Sequence, residues 1–236
     1  MSINTKFRTC TPEIMDDFTL EGEVLREALD KIAKINQFLG GNALTLNGVK
    51  KLILTVPKSR VITIVDLGCG NGDMLRVLSN YGKENNYSFN LIGIDANAFT
   101  INHAIKLSES FSNITFMCED IFEYDFSQLK CDIIICTLTL HHFKNPEIES
   151  LLTAFYANLK LGIVINDLHR SWLAYRLFQM ICFLFQLNSM SREDGLISIL
   201  RGFKKEELET FSKKLDFKKY IIQWKWAFRY QWIICK

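Results

Sequence analysis

The chain has 236 residues, 48% of them apolar and 23% charged, with 28 basic and 26 acidic side chains. That length suits one domain with a small appendage, and a core of this size holds without disulfide or metal staples. A net charge of +2 excludes a protein held to nucleic acid mainly through phosphate contacts, and it excludes a charged disordered tail. Seven cysteines occur with no C-x-x-C pair, so neither a zinc ribbon nor a thioredoxin-type motif is present. Most lie in apolar runs such as Ile133–Cys136, where a thiol packs as a small hydrophobe. Reduced thiols and an N-terminus without a signal-peptide core lead us to expect a cytoplasmic protein.

In chain order, apolar residues at three-and-four spacing predict a helix over 20–39, stopped by Gly40-Gly41, and a shorter one over 43–54. From Arg60 strand-like and helical runs alternate. Val61–Val65 precedes a helix around 74–78, Phe89–Ile94 one over 98–107, and Ile114–Met117 and Asp132–Cys136 one over 146–159. Leu161–Ile165 is the fifth strand run. Continuous apolar strands separated by helices describe a parallel sheet covered on both faces. Phe217–Gln223 and Trp226–Cys235 follow closely on one another and predict an antiparallel hairpin at the sheet edge. The most apolar stretch, 172–187, carries Arg176, Gln179 and Gln186 and is too short to span a bilayer. It is expected to be a helix buried on most faces, with a lid or a peripheral membrane face as the alternatives.

The first strand runs into Val65-Asp66-Leu67-Gly68-Cys69-Gly70-Asn71-Gly72-Asp73. Glycines there permit a tight turn and close approach of a ligand. A dinucleotide fingerprint would need a third glycine at 73, where Asp73 stands. Its carboxylate would repel a pyrophosphate at the helix N-terminus. With Asp66 it makes the turn suited to a cation, and no phosphate-binding G-x-x-x-x-G-K-[ST] loop is present.

These residues resemble the class I S-adenosylmethionine-dependent methyltransferases from about Arg60 to Lys236. The resemblance rests on Asp66 with Gly68, Gly70 and Gly72, on Asp95 closing the second strand 23 residues later, on Cys118-Glu119-Asp120-Ile121, and on a fourth strand running into Thr137-Leu138-Thr139-Leu140-His141-His142. It implies an α/β Rossmann-like fold with a seven-stranded, mostly parallel sheet, a C-terminal antiparallel hairpin and helices on both faces. Residues 1–57 would form a helical cap of the same domain, and 58–236 the core, with a lid insertion at about 169–203. The implied cofactor is S-adenosylmethionine, leaving as S-adenosylhomocysteine. It would be held by Asp66, Gly68, Cys69, Gly70, Asn71, Gly72, Asp95, Ala96, Asp120, Ile121 and Thr137.

His141, His142 and His169 follow the fourth and fifth strands, where ligands of open α/β sheets bind. One of the three is expected to be a general base, because imidazole titrates near neutrality, with His142 and His169 preferred and Asp167 and Arg170 as groups that could orient it. No metal is expected, because adjacent histidines rarely converge on one ion and no H-E-x-x-H is present. His103 receives no role. The segment after the fourth strand is not the Pro-Pro-aromatic type of nucleic-acid methyltransferases, and basic residues from 201 to 225 alternate with acids. A small-molecule acceptor and no nucleic-acid partner are therefore expected. Aromatic residues between 172 and 185 suit an apolar acceptor, with O-methylation of a phenolic or polyketide-like secondary metabolite first and C-methylation of a quinone or aromatic ring second. A nicotinamide-dependent oxidoreductase and a non-catalytic cofactor-binding module are the readings from other classes. Oligomeric state is left open.

Overall fold

The computed structural model describes residues 3–126 and 129–236, so the first two residues of the expected cap lie outside the described residues. Two helices, α1 (Glu23–Phe38) and α2 (Gly41–Ile53), precede the first strand. Then follow β1 (Val61–Leu67), α3 (Asp73–Asn85), β2 (Ser88–Asp95), α4 (Ala98–Leu107), β3 (Ile114–Cys118), β4 (Cys131–Thr137), α5 (Asn145–Asn158) and β5 (Leu159–Leu168). Helices α6 (Trp172–Leu184), α7 (Ser189–Arg201) and α8 (Lys205–Lys214) lead to β6 (Lys219–Lys225) and β7 (Arg229–Cys235). The sheet order is β3-β2-β1-β4-β5-β7-β6. The first five strands are parallel, and β7 runs antiparallel to both β5 and β6. This is the expected architecture, with every predicted strand within a few residues of its observed position.

The side-chain period of two explains why the central strands are apolar throughout. Ile133 and Ile135 of β4 point into one core with Ile62 and Ile64 of β1, under α2 and α3. Ile134 and Cys136 point into the other with Val65, Leu67, Ile163 and Ile165, under α5 and α8. The edge strand β6 buries little, alternating exposed and half-buried positions, as one covered face allows. The hairpin turns through Ala227 (φ 62°) and Phe228 (φ 54°). Two left-handed residues match the twist of a tight hairpin, here without glycine.

The stretch 172–187 departs from expectation. In α6 only Ala174 and Cys182 are buried, while Met180, Phe183 and Leu184 are exposed. Helix α7 covers one stripe of α6, with Gly195 against Phe178, and leaves the others open to solvent or to the cleft described below. No helix among the described residues is long and apolar enough to cross a membrane.

Candidate active site

The chain order switches between β1 and β4, which are neighbours in space although β2 and β3 separate them in sequence. The crevice of an open α/β sheet forms beyond the carboxyl ends of such strands, and here it widens into a cleft of about 1650 Å³. The loops after β1, β2, β3, β4 and β5 line it, together with α1, α6, α7 and the 12–18 segment.

At the β1 end the chain turns through Gly68 (φ 65°) and Gly70 (φ 52°), a left-handed backbone that disfavours side chains. A Cβ on Gly68 would stand 2.4 Å from the Thr139 side chain, whereas one on Gly70 would meet nothing closer than 4.0 Å. The first glycine lets β1 and β4 loops touch; the second leaves its backbone open to the cleft. The Gly70 N–H donates to Asp95 Oδ2 (3.1 Å), and Asn97 N–H donates to Oδ1 (3.1 Å). Asp95 thus ties the glycine turn to the end of β2 and keeps free lone pairs on both oxygens.

Three carboxylates crowd this end. Burial, with the charges of Asp73 and Asp95, holds the Asp66 carboxyl well above the usual range, and Asp66 Oδ1 has no hydrogen-bond partner. Burial also raises Asp95 and Asp73, although Asp73 accepts from Asn42 Nδ2 at 2.7 Å. Such a site gains electrostatically from a cationic ligand. Of the sequence-predicted cofactor residues, Asp66, Gly68, Cys69, Gly70, Asn71, Asp95, Ala96, Asp120, Ile121 and Thr137 line the cleft. Gly72 does not; it caps α3 in the left-handed conformation with its Cα face against Phe116.

The three candidate histidines all line the same cleft, in different surroundings. His141 is buried, its Nδ1 2.7 Å from Asp167 Oδ1 and its N–H donating to Oδ2. His142 is half-buried, with Nδ1 2.6 Å from Asp16 Oδ1. Both imidazoles come from a 3-10 turn, Leu140–His142, whose tight pitch places consecutive rings 4.4 Å apart. His169 stands apart from them, its Nδ1 accepting from Trp224 Nε1 at 3.1 Å. Burial and the charges of Lys204 and Arg170 lower its pKa to about 4. A base that weak takes up little proton at neutral pH, so the environment favours the adjacent pair over His169. Asp167 orients a histidine as expected. Arg170 does not: its guanidinium is bound to Glu207 and to the Gly202 carbonyl. His103 pairs with Asp30 Oδ1 at 2.8 Å, away from the pair.

Sequence reasoning missed the groups that complete this end of the cleft. The 3-10 turn Ile14–Asp16 brings Glu13 and Asp16 onto the histidines. Asp194 of α7 holds that turn by accepting from Ile14 N–H (2.7 Å) and Met15 N–H (3.0 Å). Arg201, also from α7, donates to Asp16 Oδ2 (2.6 Å) and to the His141 and His142 carbonyls. Burial would raise Asp16, but hydrogen bonds from His142 and Arg201 outweigh it and hold the carboxyl below its ordinary value. Glu13 is nearly sealed, and burial pushes it up to about 7 despite a 2.7 Å bond from the Ser198 hydroxyl. The acid-rich run Pro12–Asp17 was the one available signal, and it carries no spacing that announces a partner at 141.

Comparisons with known proteins bear on the fold that carries this cleft. Residues 64–162 match the family described as methyltransferase domain. The chain is 25% identical over 177 residues to a carboxy-S-adenosyl-L-methionine synthase of Campylobacter jejuni subsp. jejuni serotype O:6, covering 70% of this chain and 73% of that protein. It is 31% identical over 109 residues to the protein of that name from Helicobacter hepaticus, covering 46% and 44%. Among solved structures, the plantazolicin methyltransferase BpumL in complex with SAH superposes with a TM-score of 0.64 at 20% identity, covering 88% of this chain and 89% of that one. Magnesium protoporphyrin IX methyltransferase from Synechocystis PCC 6803, with bound SAH, gives 0.56 at 14%, covering 85% and 86%. Residues 64–162 thus match the methyltransferase-domain family, and the chain has the fold of the class I S-adenosylmethionine-dependent methyltransferases.

Proposed function

We propose that this chain transfers a methyl group from S-adenosylmethionine to a small, apolar or aromatic acceptor, with an acceptor oxygen as the preferred atom. The observation that carries the proposal is the continuity of the cleft. Its acidic glycine-turn end, with Asp66, Asp73 and Asp95, opens into the same space as the His141–His142 pair, and α6 supplies an apolar wall between them and solvent. About 1650 Å³ exceeds the ~300–1,000 Å³ typical of one small-molecule site and accommodates two ligands side by side.

S-adenosylmethionine supplies an electrophilic methyl carbon on a positively charged sulfur. A cationic ligand beside Asp66 and Asp73 would offset the burial that raises their carboxyls and favour their ionised, negatively charged forms, and Asp95 keeps acceptor lone pairs for hydroxyl groups of a ribose. Asp120, Ile121 and Ala96 lie where an adenine would follow from Asp95 along the strand ends. Leu177, Met180, Phe183 and Trp226 give the acceptor apolar contacts. His142, aligned by Asp16, presents Nε2 to take the acceptor's hydroxyl proton as the oxygen attacks the methyl carbon and the carbon–sulfur bond breaks toward sulfur. Most of the rate then comes from holding oxygen, carbon and sulfur in line. C-methylation of an aromatic ring would use the same residues and is the second outcome of the acceptor screen.

The curated relatives are named for making a modified S-adenosylmethionine, which supports a second reading, in which the nucleoside is altered and not demethylated. Incubation of the chain with methyl-labelled S-adenosylmethionine and a panel of phenols, quinones and small carboxylic acids that can give up a carboxyl group, followed by mass spectrometry, tests both. Label in the acceptor with S-adenosylhomocysteine as co-product supports methyl transfer; a heavier nucleoside that retains the label supports the second reading.

A further inference from the structure

Glu13 Oε1 and His141 Nε2 are both buried, and neither has a hydrogen-bond partner. They face each other at 3.6 Å, too far for a hydrogen bond. An unpaired buried carboxylate oxygen and an unpaired imidazole nitrogen each carry a desolvation cost. On the other side of each ring the partner is a carboxylate: Asp167 Oδ1 on His141 Nδ1 at 2.7 Å, Asp16 Oδ1 on His142 Nδ1 at 2.6 Å. With the proton on Nδ1, each Nε2 keeps its lone pair and turns it toward Glu13; His142 Nε2 lies 3.8 Å from Glu13 Oε2. One ligand atom from each of the three residues falls within 4.8 Å of the others.

From this arrangement we infer that Glu13, His141 and His142 form a site for a divalent transition-metal ion of the zinc type. Ligand atoms about 2.1 Å from a tetrahedral ion lie about 3.4 Å apart; Glu13 reaches to 3.6 Å of His141 Nε2 through Oε1 and to 3.8 Å of His142 Nε2 through Oε2, so small side-chain shifts bring one oxygen and both nitrogens onto one ion. Carboxylates on the far nitrogens of ligating histidines fix the tautomer and raise ligand basicity. Two histidines and one carboxylate leave coordination positions open, and all three residues line the cleft. Arg201 approaches Glu13 at 3.6 Å but is bound more closely to Asp16, at 2.6 Å. Asp16 and Asp167 more than offset its charge. The 3-10 turn at 140–142 lets adjacent histidines converge, against the sequence expectation, and Glu13 supplies the third ligand.

The inference deepens the methyl-transfer reading and rests on it for the ion's task. An acceptor hydroxyl on the ion would release its proton to water, because a bound cation lowers the pKa of a coordinated oxygen. The oxygen would then attack as an anion, and His142 would serve as a ligand in place of a proton acceptor.

The test uses the untagged full chain, stripped with a chelator and dialysed, then titrated with Co²⁺ while its visible absorption is recorded. We expect one Co²⁺ per chain, displaced by Zn²⁺, with affinity lowered at least about tenfold in Glu13→Gln and His142→Ala and unchanged in His169→Ala. Circular dichroism confirms that each variant is folded. Absence of Co²⁺ binding to the wild-type chain overturns the proposal, as does wild-type affinity in Glu13→Gln and His142→Ala. S-adenosylhomocysteine binding to the stripped chain is measured separately: a chain that binds the nucleoside and takes up no Co²⁺ defeats the metal site alone, and failure of the nucleoside to bind defeats the reading beneath it.

Discussion

Asp16 and His142 stand 126 residues apart in sequence, and Asp16 Oδ1 lies 2.6 Å from His142 Nδ1. The segment ahead of the first helix is therefore part of the reacting end of the cleft and not an appendage to it. Asp194 and Arg201 of α7 lock it there. Asp16→Asn removes the charge that aligns the ring while keeping its shape, and His142→Ala removes the ring. We expect turnover to fall by about 10²-fold or more in His142→Ala and less in Asp16→Asn, with S-adenosylhomocysteine affinity unchanged in both. Steady-state kinetics beside calorimetry checks this split.

Asp66 makes a prediction about stability and binding with opposite signs. Its folded-state carboxyl is raised above the unfolded value, so the folded chain holds a proton that the unfolded chain has lost. The contribution to stability from this group is present below the unfolded pKa and declines as pH rises through the window above about 3.8. Asp66→Asn removes that decline. We expect the ligand-free variant to melt higher than wild type at neutral pH, and to bind the cationic S-adenosylmethionine several-fold more weakly. Thermal melts across pH and a cofactor titration measure the two effects.

The reverse logic holds for His169. Its folded pKa of about 4 lies below the ordinary 6.5, so protonation favours the unfolded chain. Stability from this group is complete above pH 6.5 and is lost as pH falls toward about 4. His169→Gln should flatten the acid limb of the stability–pH profile between those values. Denaturant unfolding at stepped pH shows whether the two profiles diverge there.

Phe183 is 89% exposed yet lines the cleft. Phe183→Ser should leave stability within about 0.5 kcal/mol, because little packing is lost. If α6 forms the acceptor wall, the variant raises the KM for an apolar acceptor without changing cofactor affinity. Equal loss of both would place Phe183 in the fold and not in the acceptor site.

How much was legible follows from the range of each signal. The strands and their order came through because Ile62, Ile64, Ile133, Ile135 and their neighbours satisfy a period of two with both faces buried. That Asp66, the glycine turn and Asp95 gather at one end of the cleft was legible because they are local to strand ends and stand in fixed order. The histidine end was half legible. His141, His142 and Asp167 sit at strand ends and were found, whereas Glu13, Asp16, Asp194 and Arg201 meet them only through packing of a 3-10 turn against α7. No periodicity encodes such a contact. The exposure of α6 was hidden for a related reason: hydropathy reports that a face is apolar and not whether protein, ligand or solvent lies against it. The separation of His169 from the pair depends on Trp224 across the hairpin, equally invisible along the chain.

The acidic glycine-turn end of the cleft is the proposed S-adenosylmethionine site, and calorimetric titration of that compound into wild type and Asp95→Ala probes it without an acceptor. We expect one site per chain in the wild type, loss of that site in Asp95→Ala, and no heat from NADH in either. Equal affinity in the two proteins, or binding of NADH in preference, would contradict it.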